Sequence, residues 1–509
     1  MVAGSYDYVI VGAGSGGSVV ARRLVDAGAS VGLLEAGGAA VSAAIDDPGR
    51  WPELLGSQWD WGYATDPQEG CAGRVLHWPR GKVVGGTGAL NGMAYIRGHR
   101  LDYDDWANQS CPGWAYEDVL PLFRRSEDFD RGESLYHGIG GPFRVTTLYE
   151  PHPLLAAFVG AAQEAGVPFN DDHNGAVLDG VGYTQLTVRN GRRETAATAF
   201  LGPIAGDSNL TIRTGARVRR LRVAGDRCTG VELGVNGALE TVEAREEVVL
   251  CAGTIDSARL LLLSGVGPGE ELRRLGIPSL VDLPGVGRNL HDHLLSPVVV
   301  EAPRPVPPRV AGLTQLHAHL FWRSRPGLEV PDTQPLAFHI PVYPDGITGP
   351  ADAYTVMGGL IRPESRGAMR LRSADPDVSP SIDPRCLHSD DDLEALVASV
   401  AQCREIARQG SLAEWTAREL YPGEGVRTHD ELRDYVRRTA VSYHHQVGTC
   451  RMGADEGAVV DPELRVHGVD GLRVADASVM PFVTSGNTNA PTIMIGERAA
   501  ELLLSARAA

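Results

Sequence analysis

The sequence predicts an α/β fold that begins with a Rossmann-like, dinucleotide-binding unit. Three observations predict it: an apolar run rich in β-branched residues at Asp7–Val11, a glycine-rich turn at Gly12–Gly17, and a helical pattern in which Val20 and Leu24 lie four residues apart. A strand, a turn and a helix in this order expose unpaired N–H groups at the helix N-terminus, where phosphates bind. The first domain is therefore expected to hold a dinucleotide.

Each glycine of the turn has its own expected role. Gly12 allows the tight turn, Gly14 lets the backbone approach a pyrophosphate, and Gly17 lets the helix pack closely on the strand. A second strand, Val31–Leu34, ends at Glu35, which lies 23 positions after Gly12. An acidic side chain at this distance is expected to bind the ribose hydroxyls of an adenosine. This pattern alone does not separate FAD from NAD.

Length and composition restrict the class of protein. The chain has 509 residues, enough for two or three domains, and 43% of them are apolar, which is ordinary for a globular protein with a sizeable core. A net charge of −17 is unfavourable for binding nucleic acid or an anionic membrane. No apolar run approaches the ~20 residues of a membrane helix, and the first predicted strand leaves no room for a secretory signal. We therefore expect a soluble, cytoplasmic enzyme.

Several ordered motifs resemble the glucose-methanol-choline (GMC) oxidoreductases, FAD enzymes that oxidise alcohols. Gly81–Gly98 is similar to the first signature of that family, and Gly253–Gly267 is similar to the second. Val286–His293, Ser442–Gly453 and Ser485–Thr492 follow in the expected order, so the resemblance covers nearly the whole chain. It implies FAD rather than NAD as the cofactor.

The resemblance also implies a two-domain architecture, α/β in its first domain and α+β overall. A discontinuous FAD-binding domain is expected at residues 1–155, 201–300 and 441–509. An inserted substrate-binding domain, built on an antiparallel sheet, is expected at residues 156–200 and 301–440. The residues expected to contact FAD are Gly12, Gly14, Ser15, Gly17, Glu35, Arg80, Val84, Asn91, Gly92, Met93, Ala94, Val218, Ala252, Asp476, Ala477, Asn489 and Thr492. The proline-rich stretch Pro303–Pro308 is expected to mark a crossing between the domains.

Alcohol oxidation requires a base, because hydride leaves the carbon readily only as the hydroxyl proton is removed. His445 lies in a family-like His-x-Val-Gly-Thr arrangement and is the candidate general base. Asn487 occupies a position where the family has histidine or asparagine, and it is expected to hydrogen-bond the substrate oxygen as negative charge develops there. His444 is expected to pack, although it could instead make the cavity wall more polar.

The C-terminal residues have expected roles beside the flavin. The segment Pro491–Leu504 predicts a helix with proline in its first turn, and its N-terminus would face the flavin pyrimidine ring. Asn489 is expected at the flavin edge, and Asp476 at the pyrophosphate or the ribityl chain. Asn487 and Asn489 are also residue types that cap helices, and capping does not exclude catalysis.

No metal site is predicted. His291 and His293 are two residues apart, a spacing that can serve a metal on a strand, but the sequence shows no third ligand. Seven cysteines without Cys-x-x-Cys spacing predict free, mostly buried thiols.

The residue before the signature asparagine predicts how the flavin is attached. Relatives with covalent flavin carry histidine before the signature asparagine, whereas Leu90 precedes Asn91 here, so non-covalent FAD is expected. Glu35→Ala is expected to weaken FAD retention and to change the stability of the apo-protein much less.

The sequence does not identify the electron acceptor, which is oxygen or another molecule. A lyase of the hydroxynitrile type, a light-driven decarboxylase and a flavoprotein without catalysis are the alternatives to alcohol oxidation.

Overall fold

Two large sheets, each with seven strands, organise the chain. The computed structural model describes residues 2–235 and 238–508. The α-helices in these ranges are Ser15–Asp26, Ala43–Asp46, Arg100–Asn108, Tyr116–Ser126, Pro153–Glu164, Gly253–Leu263, Gly269–Arg274, Asp390–Ala407, His429–Thr439 and Asn489–Ala508. Short 3₁₀ or π turns lie at Pro48–Leu54, Glu69–Cys71, Gly86–Ala89, Ala197–Leu201, Gly202–Ile204, Gly410–Trp415 and Ala477–Val479.

The first sheet is parallel at its centre. Its strands, in spatial order, are Leu210–Arg213, Val31–Leu34, Val2–Val11, Ala238–Leu250, Arg227–Val235 and Arg217–Ala224, and Leu472–Val474 also pairs with Ala238–Leu250. The strand residues Val11, Leu34 and Leu250 lie side by side in register. The carboxyl ends of the parallel strands therefore share one edge, which is where open α/β sheets bind ligands.

Two helices that are far apart in the sequence pack against each other, and the first of them also contacts this sheet. Ser15–Asp26 and Asn489–Ala508 contact each other, and the fully buried carboxylate of Glu497 connects them. Arg23 donates to it at 2.7 and 2.9 Å, and Arg125 donates to it at 2.7 and 3.0 Å. Because a buried carboxylate is costly unless it is paired, these two arginines stabilise the junction.

The second sheet is antiparallel throughout its pairings. Its strands, in spatial order, are Arg418–Tyr421, Leu294–Glu301, Ala353–Leu360, Leu336–Phe338, Ala318–Phe321 and Gly180–Tyr183, and Val441–Ser442 also pairs with Leu294–Glu301. The predicted combination of a Rossmann-like domain with an inserted antiparallel sheet is confirmed.

The observed sheets differ from the predicted domain boundaries at two strands. Leu294–Glu301 and Val441–Ser442 belong to the second sheet, although residues 294–300 and 441–442 were predicted in the first domain. Pro303–Pro308 follows Leu294–Glu301, so the chain enters the second sheet before the proline-rich stretch. Leu294–Glu301 is buried along nearly all of its length, as Val31–Leu34 of the first sheet is, so only the pairing partners show to which sheet such a strand belongs.

Smaller elements complete the described ranges. Five two-stranded sheets join Val266–Gly267 to Val281–Asp282, Ala368–Arg370 to Ser381–Asp383, Tyr63–Ala64 to His77–Trp78, Glu127–Phe129 to Phe143–Val145, and Val188–Arg189 to Arg192–Arg193. All seven cysteines are free and buried, as predicted. Among the helices of residues 2–235 and 238–508, none combines the length and apolar character needed to cross a membrane.

Candidate active site

Two glycine-rich turns touch each other at the carboxyl edge of the first sheet. Gly12 has a φ of +102°, and a Cβ atom there would lie 2.4 Å from the carbonyl oxygen of Cys251. A Cβ on Gly17 would lie 2.0 Å from the carbonyl oxygen of Gly12, so the helix packs directly on the turn. A Cβ on Gly86, in the second turn, would lie 2.9 Å from the Cα of Gly14. Glycine is therefore required for this approach of the two backbones.

A cavity of about 400 Å³ begins between these turns and extends to the second sheet. Its lining includes Glu35 at the edge of the first sheet, and His445 and Asn487 near the second. Every predicted site residue lines this cavity except Gly17 and Val84. Gly17 lies beneath the turn, and the Val84 N–H donates to a neighbouring backbone carbonyl at 3.0 Å.

The residues around the turns fit FAD. The helix Ser15–Asp26 starts after Gly14, with no side-chain cap and no acidic residue in its first turn among the residues described. The N–H groups of that turn are thus left for an anionic ligand, and the helix dipole favours negative charge there. The cradle formed by Gly14 and Gly86 would be partly filled by any side chain.

Glu35 is buried at the end of Val31–Leu34, where its carboxylate connects two loops. It accepts hydrogen bonds from the backbone N–H groups of Ala13 at 3.0 Å and Gly37 at 2.8 Å. Burial raises the pKa of Glu35 to about 6. The side chain faces the cavity, and each carboxylate oxygen has a second lone pair for a ribose hydroxyl.

Glu35→Ala is expected to raise the Kd of FAD about ten- to a hundredfold, because a charge-assisted hydrogen bond contributes about 1.5–3 kcal/mol. The sequence predicted only a small loss of stability in the apo-protein, and the structure indicates a larger one. The change also leaves the Ala13 and Gly37 N–H groups without their acceptor. Glu35→Gln keeps the side-chain volume and one acceptor oxygen, so it should recover much of the apo-protein stability. Fluorescence titration with FAD and thermal unfolding measure the two effects. An unchanged Kd in both variants would exclude Glu35 from ribose binding.

Asp476 lies just after the strand Leu472–Val474 and fixes the start of a helix. Its carboxylate accepts hydrogen bonds from the N–H of Gly253 at 2.8 Å, the hydroxyl of Ser257 at 2.6 Å and the N–H of Ser478 at 2.8 Å. Burial raises the pKa of Asp476. Asp476 lines the cavity, but these three bonds are all made to the protein, so its predicted contact with the pyrophosphate or ribityl chain stays a prediction.

Two helix N-termini meet at the cavity. The C-terminal helix starts at Asn489, two residues before the predicted start, and Pro491 is in its first turn. The hydroxyl of Ser15 donates to Oδ1 of Asn489 at 2.6 Å, which joins this helix to the start of Ser15–Asp26. Asn489 and Thr492 both line the cavity. Both dipoles therefore favour negative charge at this place.

His445 and Asn487 are in direct contact, and the surrounding bonds fix their orientation. Asn487 Nδ2 lies 3.1 Å from His445 Nε2. Gln334 donates to Asn487 Oδ1 at 3.3 Å, which leaves the Asn487 amide N–H to face the imidazole. His445 Nε2 is therefore the acceptor, and the ring proton belongs on Nδ1. That atom lies 3.0 Å from Nδ1 of His293, which accepts the proton's hydrogen bond.

The electrostatic environment keeps His445 neutral. The residue is 8% exposed, and burial is the main reason why its pKa lies well below the ordinary value of 6.5. The neighbouring His293 and His444 and the guanidinium of Arg80 lower the pKa further. A neutral imidazole with its lone pair on Nε2 can accept a proton from a bound hydroxyl group that takes the place of the Asn487 N–H.

The sequence analysis missed two residues that position His445. The segment 291–293 runs antiparallel to 443–447, with Tyr443 N–H donating to the His293 carbonyl at 2.9 Å. Asp292 accepts from the backbone N–H of His445 at 2.7 Å and from Gln446 Nε2 at 3.1 Å. Burial raises the pKa of Asp292 to about 6. The His-Asp-His motif was the available signal, but its spacing suggested only a metal.

The histidines of that motif make hydrogen bonds to other parts of the protein. His291 Nε2 accepts from the backbone N–H of Val483 at 3.0 Å, and His293 faces His445. Within residues 2–235 and 238–508, no group of three or more metal-ligating side chains converges.

His444 lines the cavity with an unusual backbone. Its φ is +67°, and its carbonyl accepts from the Arg80 guanidinium at 2.6 Å. Burial lowers the pKa of His444 to about 3. Its Nδ1 has no hydrogen-bond partner among the described residues. These contacts fix the backbone of His444, and the predicted packing of its ring stays a prediction.

FAD is expected to be released by acid precipitation of the holoenzyme. The residue before Asn91 is the buried Leu90, which has no nucleophilic group for attachment to the flavin ring. A yellow supernatant and a colourless pellet are the expected result. Colour that stays with the denatured protein would show a covalent link and would contradict the prediction.

The chain is similar to known proteins over nearly its whole length. Residues 6–295 and 363–496 match the N-terminal and C-terminal profiles of GMC oxidoreductases. The chain is 41% identical to human mitochondrial choline dehydrogenase, over 98% of this chain and 89% of the relative. It is 39% identical to an oxygen-dependent choline dehydrogenase of Rhizobium johnstonii, over 98% and 95% of the two chains.

Solved structures show the same architecture. Pyridoxine 4-oxidase from Mesorbium loti superposes with a TM-score of 0.94 at 37% identity, over 97% of this chain and 98% of that one. An Aspergillus oryzae formate oxidase superposes with a TM-score of 0.92 at 26% identity, over 100% and 99%.

Proposed function

Because the chain belongs to the GMC oxidoreductase family of FAD-dependent enzymes that act on CH–OH groups, we propose that His445 and Asn487 carry out its alcohol oxidation. His445 is the general base, and Asn487 donates a hydrogen bond to the substrate oxygen. The observation that carries this proposal is the 3.1 Å contact between the two side chains on the cavity wall.

The proposed reaction follows from the hydrogen bonds around His445. An alcohol hydroxyl that enters between the two side chains donates its proton to His445 Nε2 and accepts the N–H of Asn487. His293 holds the proton on Nδ1 of His445, so Nε2 presents its lone pair. FAD, when bound, supplies the acceptor for hydride at its N5 atom. The proton ends on Nε2 of His445, and the oxygen keeps the Asn487 hydrogen bond as it becomes a carbonyl.

The position of the loop supports the same assignment. Asp292 holds the backbone N–H of His445, and Arg80 holds the carbonyl of His444. A base whose backbone is held on both sides needs little reorganisation when substrate binds, which is the condition for efficient positioning.

Anaerobic mixing of the holoenzyme with alcohols tests the proposal. Choline and pyridoxine occur in the names of the relatives, so they are included with benzyl alcohol and neohexyl alcohol. Loss of the oxidised-flavin absorbance is the expected result. Subsequent addition of air or of a dye identifies the electron acceptor. Flavin that stays oxidised with every alcohol would contradict the proposal and would favour a lyase or a light-driven decarboxylase.

A further inference from the structure

We propose that the alcohol oxidised by this protein carries an uncharged, apolar body. The inference rests on the proposed function, because it concerns the part of the cavity where the substrate of His445 would lie. It is carried by the residues that surround that part of the cavity and by the positions of the charged groups.

The chamber beside His445 is lined by apolar side chains of the second sheet and its connections. Leu295, Leu316, Leu336, Phe338 and Met357 form one buried cluster there, with Trp51, Val342, Val441 and Tyr443 packed against it. All nine line the cavity. The polar groups of His445 and Asn487 are at one side. The chamber therefore has one polar end and apolar walls, which suit a ligand with a hydroxyl group on an apolar body.

The acidic side chains that line the cavity lie on the other side of it. Glu35, Asp256 and Asp476 belong to the first sheet and the helix that follows it, and each already accepts hydrogen bonds from the protein. Asp292 is close to His445 but does not line the cavity, and it bonds the loop behind the imidazole. Among the residues that the structure describes, a cationic substrate therefore meets no free carboxylate in the chamber.

The positively charged side chain of Arg80 lines the cavity, whereas the nearby carboxylate of Asp292 does not. The field of the Arg80 guanidinium acts on His445, and Arg80 itself is bonded to the carbonyls of Pro79 and His444. Its positive charge would repel a cationic alcohol, and its Nε and Nη2 atoms donate to those two backbone carbonyls. The aromatic rings of Trp51, Phe338 and Tyr443 can contact a cation, but without a counter-ion this does not offset its desolvation. The same rings bind an apolar group without that cost.

A matched pair of substrates tests the inference. Neohexyl alcohol has the shape of choline, with a quaternary carbon in place of the quaternary nitrogen, so the pair differs chiefly in charge. In stopped-flow reduction of the anaerobic holoenzyme, we expect a second-order rate constant at least about tenfold larger for neohexyl alcohol, equivalent to about 1.4 kcal/mol. A rate constant for choline equal to or above that for neohexyl alcohol would overturn the inference and leave the proposed function intact. No reduction by any alcohol would instead contradict the proposed function.

A pair of variants tests the location of the chamber. Met357→Glu adds a carboxylate, and Met357→Gln is its uncharged match. At alkaline pH, where the new carboxyl is ionised, the ratio of choline to neohexyl alcohol reduction should rise about tenfold in Met357→Glu relative to Met357→Gln. An equal ratio in two variants that both retain FAD would show that the substrate body lies elsewhere and would overturn the assignment. If the buried glutamate prevents folding, the wild-type comparison decides alone.

Discussion

His445→Ala is expected to slow anaerobic reduction of the bound flavin by about 10² to 10⁴-fold, the usual contribution of a positioned base. FAD should remain bound, because Glu35 and the N-terminus of the helix Ser15–Asp26, which are expected to hold the nucleotide, are unchanged. Stopped-flow spectroscopy with a reducing alcohol measures the rate constant, and the absorbance spectrum of the purified variant measures the FAD content.

The pH dependence distinguishes His445 from a base with an ordinary pKa. Because burial lowers the pKa of His445 well below 6.5, the active neutral form is already complete at neutral pH. The reduction rate constant of the wild type should therefore be flat above pH 6.5 and fall only in more acidic solution. A rise through pH 6.5 would assign the titration to a different group.

Two controls keep the His445→Ala result interpretable. His444→Ala removes an adjacent imidazole that lines the same cavity but has no contact with Asn487 in the described hydrogen bonds, so its effect should be smaller. Added imidazole should partly restore the rate of His445→Ala, because it can enter the space left by the ring. A His445→Ala enzyme with a rate near that of the wild type would place the base elsewhere, with His444 as the next residue to test.

Asn487→Ala should slow flavin reduction by a smaller factor, at most about 10³, the effect of losing one hydrogen bond to a developing oxyanion. The family position accepts histidine or asparagine, so Asn487→His, which restores a donor, should be faster than the alanine variant. Asn487→Asp keeps the shape but places a carboxylate 3.1 Å from the imidazole position, which raises the pKa of His445 and moves the acid limb to higher pH. Equal rates for Asn487→Ala and the wild type would remove Asn487 from the mechanism.

The double variant His445→Ala, Asn487→Ala should cost less than the product of the two single effects. Both side chains act on one substrate oxygen, and they bond each other when no substrate is present. Once one of them has been removed, removing the other therefore slows the reaction by a smaller factor. The same stopped-flow measurement on four proteins completes the cycle. A multiplicative result would indicate that the two residues act at separate steps.

Local patterns in the sequence were sufficient for the nucleotide end of the molecule. The turn at Gly12–Gly17 and the acid after Val31–Leu34 are close in sequence, and their geometry follows from strand, turn and helix rules. His445 and Asn487 were identified through the family resemblance, and the structure brings them into contact across 42 positions of sequence.

The supports of that pair were not readable from the sequence. Asp292 and His293 act on His445 across 153 and 152 positions, and such a pairing depends on which segments run side by side. The domain boundary near residue 300 has the same cause. Leu294–Glu301 is buried like the central strands of the first sheet, and its pairing partners decide to which sheet it belongs. The hydrogen bonds of a side chain also decide how much stability is lost when it is removed, as for Glu35.

The junction at Glu497 has a consequence for synthesis of the protein on the ribosome. The glycine-rich turn emerges early, but Leu472–Val474 and the helix that bears Glu497 emerge much later. At ribosomal rates of about 5 to 20 residues per second, the interval between them is roughly 20 to 90 seconds. Throughout that interval, the helix Ser15–Asp26 lacks the helix that packs against it, and Arg23 lacks its carboxylate. The cavity is lined in part by Asn489 and Thr492 of that later helix, so FAD is expected to bind only after the helix has been synthesised.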